Sequence, residues 1–475
     1  MAAYQSPLAT RYATAAMVDN FGDVRRVLLW RDLWIALARG EQKLGVPITD
    51  AQIDALVEHR EEVDLDRVAQ LEAELRHDVM AHVRHYGECV GPAAEKIIHL
   101  GATSCYVADN AELVMMRDGL ELLMDRMFTV IEQLAGFANE HRDLPTLAYT
   151  HFQPAQLTTV GKRACLWTQD LVFDLQTVDG LLQRLPFRGV KGTTGTQASF
   201  LALLDGDHDK VRSLDQQVCK AFGFSESVAV SGQTYPRKFD TWVVSALSDI
   251  CGSAAKLASD IRLLAHEREV EEPFGRKQIG SSAMAYKRNP MRSERICSLA
   301  RFVGSLTSSP RETHANQWLE RTLDDSANRR LVLTEAFLAT DAVLNLLADI
   351  TAALVVHPAV VRANLEQELP FMATENVIMA GVRGGCSRQD LHERIRVHSH
   401  EAVRRMKEEG ASNDLLGRLR NDEVLGPFVD DTVLDPVAYV GRAPQQVQEF
   451  LAEVVHPLLE QHQARRGRFT SRVKV

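Results

Sequence analysis

Paired cysteines are what this 475-residue chain most plainly lacks: Cys89, Cys105, Cys165, Cys219, Cys251, Cys297 and Cys386 are dispersed, and no two form C-x-x-C. A scattered, odd set in a chain this long argues against a disulfide frame and reads as reduced thiols in a cytosolic protein. The opening stretch from Met1 to Tyr12 has no apolar h-region, and runs such as Ala353–Val356 are far too short to span a bilayer. A basic excess is missing too: 54 Lys and Arg face 64 Asp and Glu, a formal net charge of −10. Such a balance argues against a nucleic-acid partner, while local Arg clusters can still hold a small anion. A soluble, cytoplasmic protein with no membrane partner is the expectation.

Two ligand motifs are also absent. His77, His82 and His85 form no H-E-x-x-H and have no carboxylate or thiolate at ligand spacing, so no metal is expected. Gly189, Gly192 and Gly195 give G-x-x-G-x-x-G after a helical stretch, with no strand before it, so no dinucleotide cofactor is expected. No fixed-period repeat and no low-complexity tract is visible.

What is abundant is helical periodicity. Leu28, Trp30, Leu33, Trp34 and Leu37 recur on one face before Gly45 and Pro47, and Thr49 with Gln52 makes a capping box for the next helix. Longer patterns run from Asp109 to Arg142, from Ala155 to Leu185, and from Pro236 to Glu271, with others starting near Pro290 and Asp325. Helices of about 30 residues span roughly 45 Å. The expected fold is therefore all-α, a long antiparallel central bundle with little room for strands. Two to three domains suit the length. The expected division is a helical N-terminal domain over 1–104, a central bundle and oligomerisation core over 105–356, and a helical C-terminal domain over 357–475.

The breaks between helices carry the unusual residues. In Gln278-Ile-Gly-Ser-Ser-Ala-Met-Ala-Tyr-Lys-Arg-Asn-Pro290, the Gly-Ser-Ser run is flexible and hydroxyl-bearing, and Lys287 adds a point charge. Asn289 is a good N-cap and Pro290 a good first helical residue, so a helix is expected to start here with its N–H groups and dipole facing whatever the loop binds. Taken alone, such a loop reads as a polar connection before a solvated basic helix. A lone His in a polar turn, such as His151, more often caps or lies on a surface.

The ordered set of segments changes that reading. The loop resembles the G-S-S-x-M-P-x-K-x-N-P signature of the fumarase/aspartase superfamily at Gly280, Ser281, Ser282, Met284, Lys287, Asn289 and Pro290, with Ala285 where the pattern has Pro. Thr150-His-Phe-Gln-Pro-Ala-Gln-Leu-Thr158 resembles the catalytic-His segment, in the form of the adenylosuccinate lyase family. Gly101-Ala-Thr-Ser-Cys-Tyr-Val107 resembles the first substrate loop. Leu75–His82, Lys191–Ser199, Glu320–Arg330 and Ser6–Tyr12 resemble the same family, so the likeness runs from residue 6 to Pro444 and Gln445.

That resemblance implies a carbon–nitrogen lyase releasing fumarate from adenylosuccinate, to give AMP, and from the related succinylated aminoimidazole carboxamide ribotide. Removing a proton beside a carboxylate leaves a doubly charged carbanion, which fixed donors and cations must surround while a proton reaches the departing nitrogen. By resemblance Ser281 is the general base, activated by loop N–H groups and Lys287, and His151 is the general acid. Lys287, Asn289, Thr150, Thr103 and Ser104 hold the succinyl carboxylates, and Gln233 contacts the reacting end. Arg11, Tyr12, Arg76, His77, Asp78, Arg295, Arg321, Ser326 and Arg330 grip the nucleotide and its phosphate, for which the planar Arg fork is suited. The resembled enzymes are homotetramers whose sites are shared between subunits. Argininosuccinate lyase and fumarase are the nearest rivals, but their reactions give a phosphate grip no purpose. A catalytically silent relative would usually have lost His151 or Ser281.

Overall fold

The structure is a computed structural model describing residues 4–275, 277–430 and 435–473. Its elements that position the functional segments are α1 (Asp23–Lys43), α2 (Asp78–Val90), α3 (Ser104–Glu140), the hairpin β1 (Pro145–Thr150) and β2 (Gln153–Thr159), and α4 (Val160–Arg184). After these come α5 (Lys238–His266), the short strand β3 (Val270–Glu271), α6 (Met291–Leu306), α7 (Asp325–Thr351) and β4 (Val355–Val356), which pairs with β3. The all-α expectation holds, with two small antiparallel sheets at one end of the bundle.

Helices α3 to α7 pack on one another as the bundle. Their side chains merge into one apolar core that also takes in Trp30, Leu33 and Trp34 of α1 and, from the far end of the sequence, Val447, Leu451 and Val455. A separate small core joins Ala373, Val377, Leu391, Leu415 and Leu419. Among the described residues α7 is the one helix long and apolar enough to cross a membrane, yet 83% of its most apolar stretch is buried inside the protein. A helix apolar all round is what the centre of a large bundle requires.

Salt bridges fix the directions of the long helices. Arg237, just before α5, reaches Asp109 near the start of α3 and Asp325 at the start of α7, so these three helices begin together. Arg292, in the first turn of α6, pairs with Asp349 at the other end of α7, so α6 runs antiparallel to it. One end of the bundle thus gathers residues 104–109, 233–240 and 320–330. The other gathers the β1–β2 hairpin and the segment 269–293. At 1.5 Å per residue, the 29 residues of α5 separate those ends by about 44 Å.

The Thr49–Gln52 capping box forms as the sequence indicates. The helical reading of Ala155–Thr159 does not hold: these residues are in β2, paired antiparallel with β1, and the helix begins only at Val160. Alternation decides it, because Leu147 and Leu157 face each other and pack beneath Leu365 and Leu369 of a distant helix. The pattern ending at Glu271 also stops early, at His266, with Arg268 at positive φ turning the chain into β3.

One core residue has a measurable cost. Glu41 of α1 is fully buried, and neither carboxylate oxygen has a hydrogen-bond partner among the described residues. Burial pushes its carboxyl up to about 8. The folded state therefore holds a proton that the unfolded chain releases above about pH 4.5, and stability falls as pH rises from there towards 8. Glu41→Gln should match wild type in thermal midpoint near pH 4.5. At pH 7 it should be more stable, by about 3 kcal/mol on 1.4 kcal/mol per pH unit. Equal midpoints at both pH values would contradict this.

Candidate active site

At the end where α3, α5 and α7 begin, buried ions form a floor. Arg237 donates to Asp325 at 2.7 Å and to both oxygens of Asp109 at 3.1 and 3.2 Å. Arg329 pairs with Asp240 at 2.6 Å and Glu112 at 2.7 Å, and the Tyr235 hydroxyl donates to Asp240 at 2.5 Å. Burial alone would raise the Asp109 carboxyl, but Arg237, Arg329 and Arg188 outweigh it and hold the group below its ordinary value. Each charge has a partner, so the floor is rigid, and removing one member would strand the rest.

Above that floor is a cleft of about 330 Å³ whose walls include Asp78, His82, Arg321, Ser326 and Arg330. Arg321 donates to Asp325 at 2.7 Å, which aims its guanidinium from the floor into the cleft, and Arg330 pairs with Asp78 at 2.8 Å. Arg76 ends the helix before α2 in the left-handed conformation, and His77 caps α2 by accepting from the Met80 amide. Ser104 Oγ lies 3.4 Å from His77 Nε2, so the Gly101–Val107 segment and the Arg76–Asp78 turn meet here; Thr103 is the residue before α3. The Gln233 amide donates to the Glu320 carbonyl at 2.9 Å, its carbonyl accepts from the buried Arg188 at 2.8 Å, and its side chain reaches Cys105. Nine of the sequence-derived residues (Arg76, His77, Asp78, Thr103, Ser104, Gln233, Arg321, Ser326 and Arg330) therefore converge at this end.

Three more gather elsewhere. The Tyr12 ring has the Arg295 guanidinium 5.5 Å and the Arg11 guanidinium 5.9 Å from its centroid. The segment holding Arg11 and Tyr12 is anchored by Thr14, which bonds the buried Asp341 through its amide at 2.6 Å and its hydroxyl at 3.2 Å.

His151 and Phe152 are the two-residue turn of the hairpin, between the paired Thr150 and Gln153. Their φ values are 53° and 57°. Such a turn favours Asn-Gly, and two side chains with a Cβ in the left-handed region cost of order 1 kcal/mol each. No described residue bonds the His151 ring, which projects from the end of the bundle opposite the cleft.

In the loop before α6, Ser281 Oγ accepts from the Ala283 amide at 3.3 Å and the Met284 amide at 3.1 Å. Two amide donors aimed at one hydroxyl oxygen favour its deprotonated form. Lys287 is exposed and its ammonium bonds no described residue, so the Lys287 contact to Ser281 expected from the resemblance is not made in this conformation. Asn289 is not the N-cap: α6 starts at Met291, and the Asn289 amide instead closes the loop on the Gly280 carbonyl at 2.8 Å. Nor do the first N–H groups of α6 face a ligand, because the Glu272 carboxylate accepts from the Arg292 and Ser293 amides at 3.2 and 2.6 Å. A carboxylate from the chain already satisfies that helix end.

Sequence reasoning missed the floor residues Asp109, Tyr235, Arg237, Asp240, Asp325 and Arg329. For Asp109, Asp240, Asp325 and Arg329 the signal was charge on helices otherwise rich in Leu, Val and Ala, whereas Tyr235 and Arg237 lie in the segment before α5. His82 and His85 have structural partners: His82 packs edge-on against Trp30, and His85 Nε2 accepts from the Asp64 amide. Burial holds the His82 imidazole down at about 4, so it is neutral at pH 7.

A family model described as Lyase matches residues 12–304, and one described as Adenylosuccinate lyase C-terminus matches residues 370–450. The adenylosuccinate lyase of Saccharomyces cerevisiae is 52% identical over 466 residues, covering 97% of this chain and 96% of that one. That of Schizosaccharomyces pombe is 50% identical over 96% and 95%, and that of Methanothermobacter thermautotrophicus is 30% identical over 94% and 98%. Among solved structures, the 3-carboxy-cis,cis-muconate lactonizing enzyme of Pseudomonas putida superposes with a TM-score of 0.81 over 97% of this chain and 100% of that one. At 23% identity this is a likeness of fold. With the signature loop, the strained histidine turn and the arginine-bearing cleft all in place, the chain belongs to the adenylosuccinate lyase family of the fumarase/aspartase superfamily.

Proposed function

We propose that the protein eliminates fumarate from adenylosuccinate, giving AMP, and from the succinylated aminoimidazole carboxamide ribotide. Ser281 takes the proton from the carbon beside the succinyl carboxylate. The electron pair left behind becomes the new double bond as the carbon–nitrogen bond breaks, and His151 protonates the departing nitrogen. The substrate follows the full-length likeness to the Saccharomyces cerevisiae adenylosuccinate lyase. The chemistry rests on one observation, the pair of amide donors converging on Ser281 Oγ. Asn289 and Lys287 with Thr150, Thr103 and Ser104 hold the succinyl carboxylates, while Gln233 lies at the reacting end.

A complete site needs more than one chain. The cleft with Arg321, Ser326 and Arg330 lies at one end of α5, a helix about 44 Å long, and the hairpin and Ser281 loop of the same chain lie at its other end. The long helices also leave large apolar side chains in the open: Leu166 and Phe173 of α4 and Trp242 and Leu263 of α5 are 40–56% exposed. A row of that kind suits burial against further copies. The active form is a homotetramer in which Arg11, Tyr12, Arg295 and the cleft residues complete sites with loops from neighbours. Its compartment is the cytoplasm, which the seven unpaired cysteines suit.

Purified protein mixed with adenylosuccinate should give AMP and fumarate in equal amounts, followed by the absorbance change of the purine. Folded protein that leaves adenylosuccinate intact and cleaves argininosuccinate would overturn the reading. The phosphate assignment has its own check. Arg321→Ala and Arg330→Ala should each weaken AMP binding by about 1.5–3 kcal/mol, the scale of a charge-assisted hydrogen bond, in isothermal titration. Asp325 keeps Arg237 as a partner in Arg321→Ala, so the floor survives. Unchanged AMP affinity in both variants would remove the phosphate role.

A further inference from the structure

The Ser281 loop is not free at its base. Residues 271–274 on the way in and 288–293 on the way out are tied to each other by side chains. Buried Glu272 accepts from the amides of Arg292 and Ser293. The Arg292 guanidinium donates back to the Pro273 carbonyl at 2.7 Å, lies 3.4 Å from Gln278 Oε1, and pairs with Asp349 of α7 at 3.1 Å. Gln278 Oε1 in turn accepts from the Gly275 amide at 3.1 Å. Outside this lock, Arg288 pairs with Glu271 at 3.1 Å and stacks 5.3 Å from the Phe274 ring centroid.

The loop therefore has two regimes. Its neck is fastened through Arg292 to a core helix, while residues 282–288 stand exposed at its tip. Ser281 sits where the two meet, just after Gly280, whose carbonyl holds Asn289 and where a Cβ would collide with the Lys287 backbone. A fixed neck with a free tip lets the tip fold over a ligand while the hydroxyl keeps its place. The planar guanidinium, with donors spread over three nitrogens, serves the Pro273 carbonyl, Gln278 and Asp349 at once.

We propose that Glu272 and Arg292 are positioning residues for the reaction: a clamp, touching no substrate, that sets where Ser281 stands when the loop closes. The proposal rests on the lyase reading above for its kinetic arm, but not for its structural one. Misplacing a reacting group by about 1 Å can cost about a hundredfold in rate. Arg292→Met should therefore lower kcat by about that factor while AMP affinity stays within about twofold, since the cleft is untouched. Arg292→Lys, whose donors all sit on one nitrogen, should recover part of the loss.

Timed trypsin digestion reads the neck directly: Lys277 and Lys287 should be cut faster in Arg292→Met, with Arg292→Lys between it and wild type. The proposal is overturned if kcat and cleavage both match wild type, or if AMP affinity and thermal midpoint fall along with kcat, the pattern of general unfolding. Should Arg292→Met fail to fold, Arg292→Lys is judged by the same split. Should wild type itself not act on adenylosuccinate, the lyase reading fails, and digestion alone decides the clamp.

Discussion

Ser281→Ala is expected to cut kcat by about a thousandfold while leaving AMP affinity within about twofold, because a general base acts mainly in the transition state. The substitution removes one oxygen from an exposed loop. The amides of Ala283 and Met284 that point at it can turn to water, so folding should be unaffected. A single-turnover experiment separates the possibilities: bound adenylosuccinate should persist in the variant. Near-normal turnover would show that another group takes the proton, and the two amide donors would then be no more than a turn closing on itself.

Local features of the chain were readable from sequence wherever a few neighbouring residues decide the outcome. Thr49 and Gln52 satisfy each other across one helical turn, so their capping box needs nothing distant. The opening of α7 at Asp325 and the length of the bundle helices follow from periodicity in the same way. The hairpin was not readable. His-Phe is a poor sequence for a turn with both φ values positive, and it is held by the pairing of Leu147 with Leu157 over residues more than 200 positions away.

Asn289 illustrates the same limit. By its own propensity it is an N-cap, yet Glu272, far back in the chain, takes the helix amides and frees Asn289 for the Gly280 carbonyl. The candidate site shows the division clearly. Its loops carry side-chain types that announce themselves in order, whereas the buried floor of Asp109, Arg237 and Asp325 joins residues 88 and 128 positions apart and exists only once three helix ends meet. The lengths of those helices already implied that the loops of one chain could not all reach one place.

The tetramer proposed for this chain, in which His151 and Ser281 of one site come from different subunits although both lie at the same end of one chain, leads to the most direct measurement. His151→Ala and Ser281→Ala, each inactive alone, are mixed in equal amounts, unfolded and refolded together, and assayed with adenylosuccinate. If each site takes His151 from one chain and Ser281 from another, half the sites receive an intact histidine and half of those an intact serine, so about a quarter of wild-type activity returns. Light scattering on the same sample should give about four times the 53.0 kDa chain mass. Activity near a quarter, in tetramers shown by tagged subunits to have mixed, is the result this account predicts. Mixed tetramers with no activity would mean that both residues come from one chain, and would contradict it.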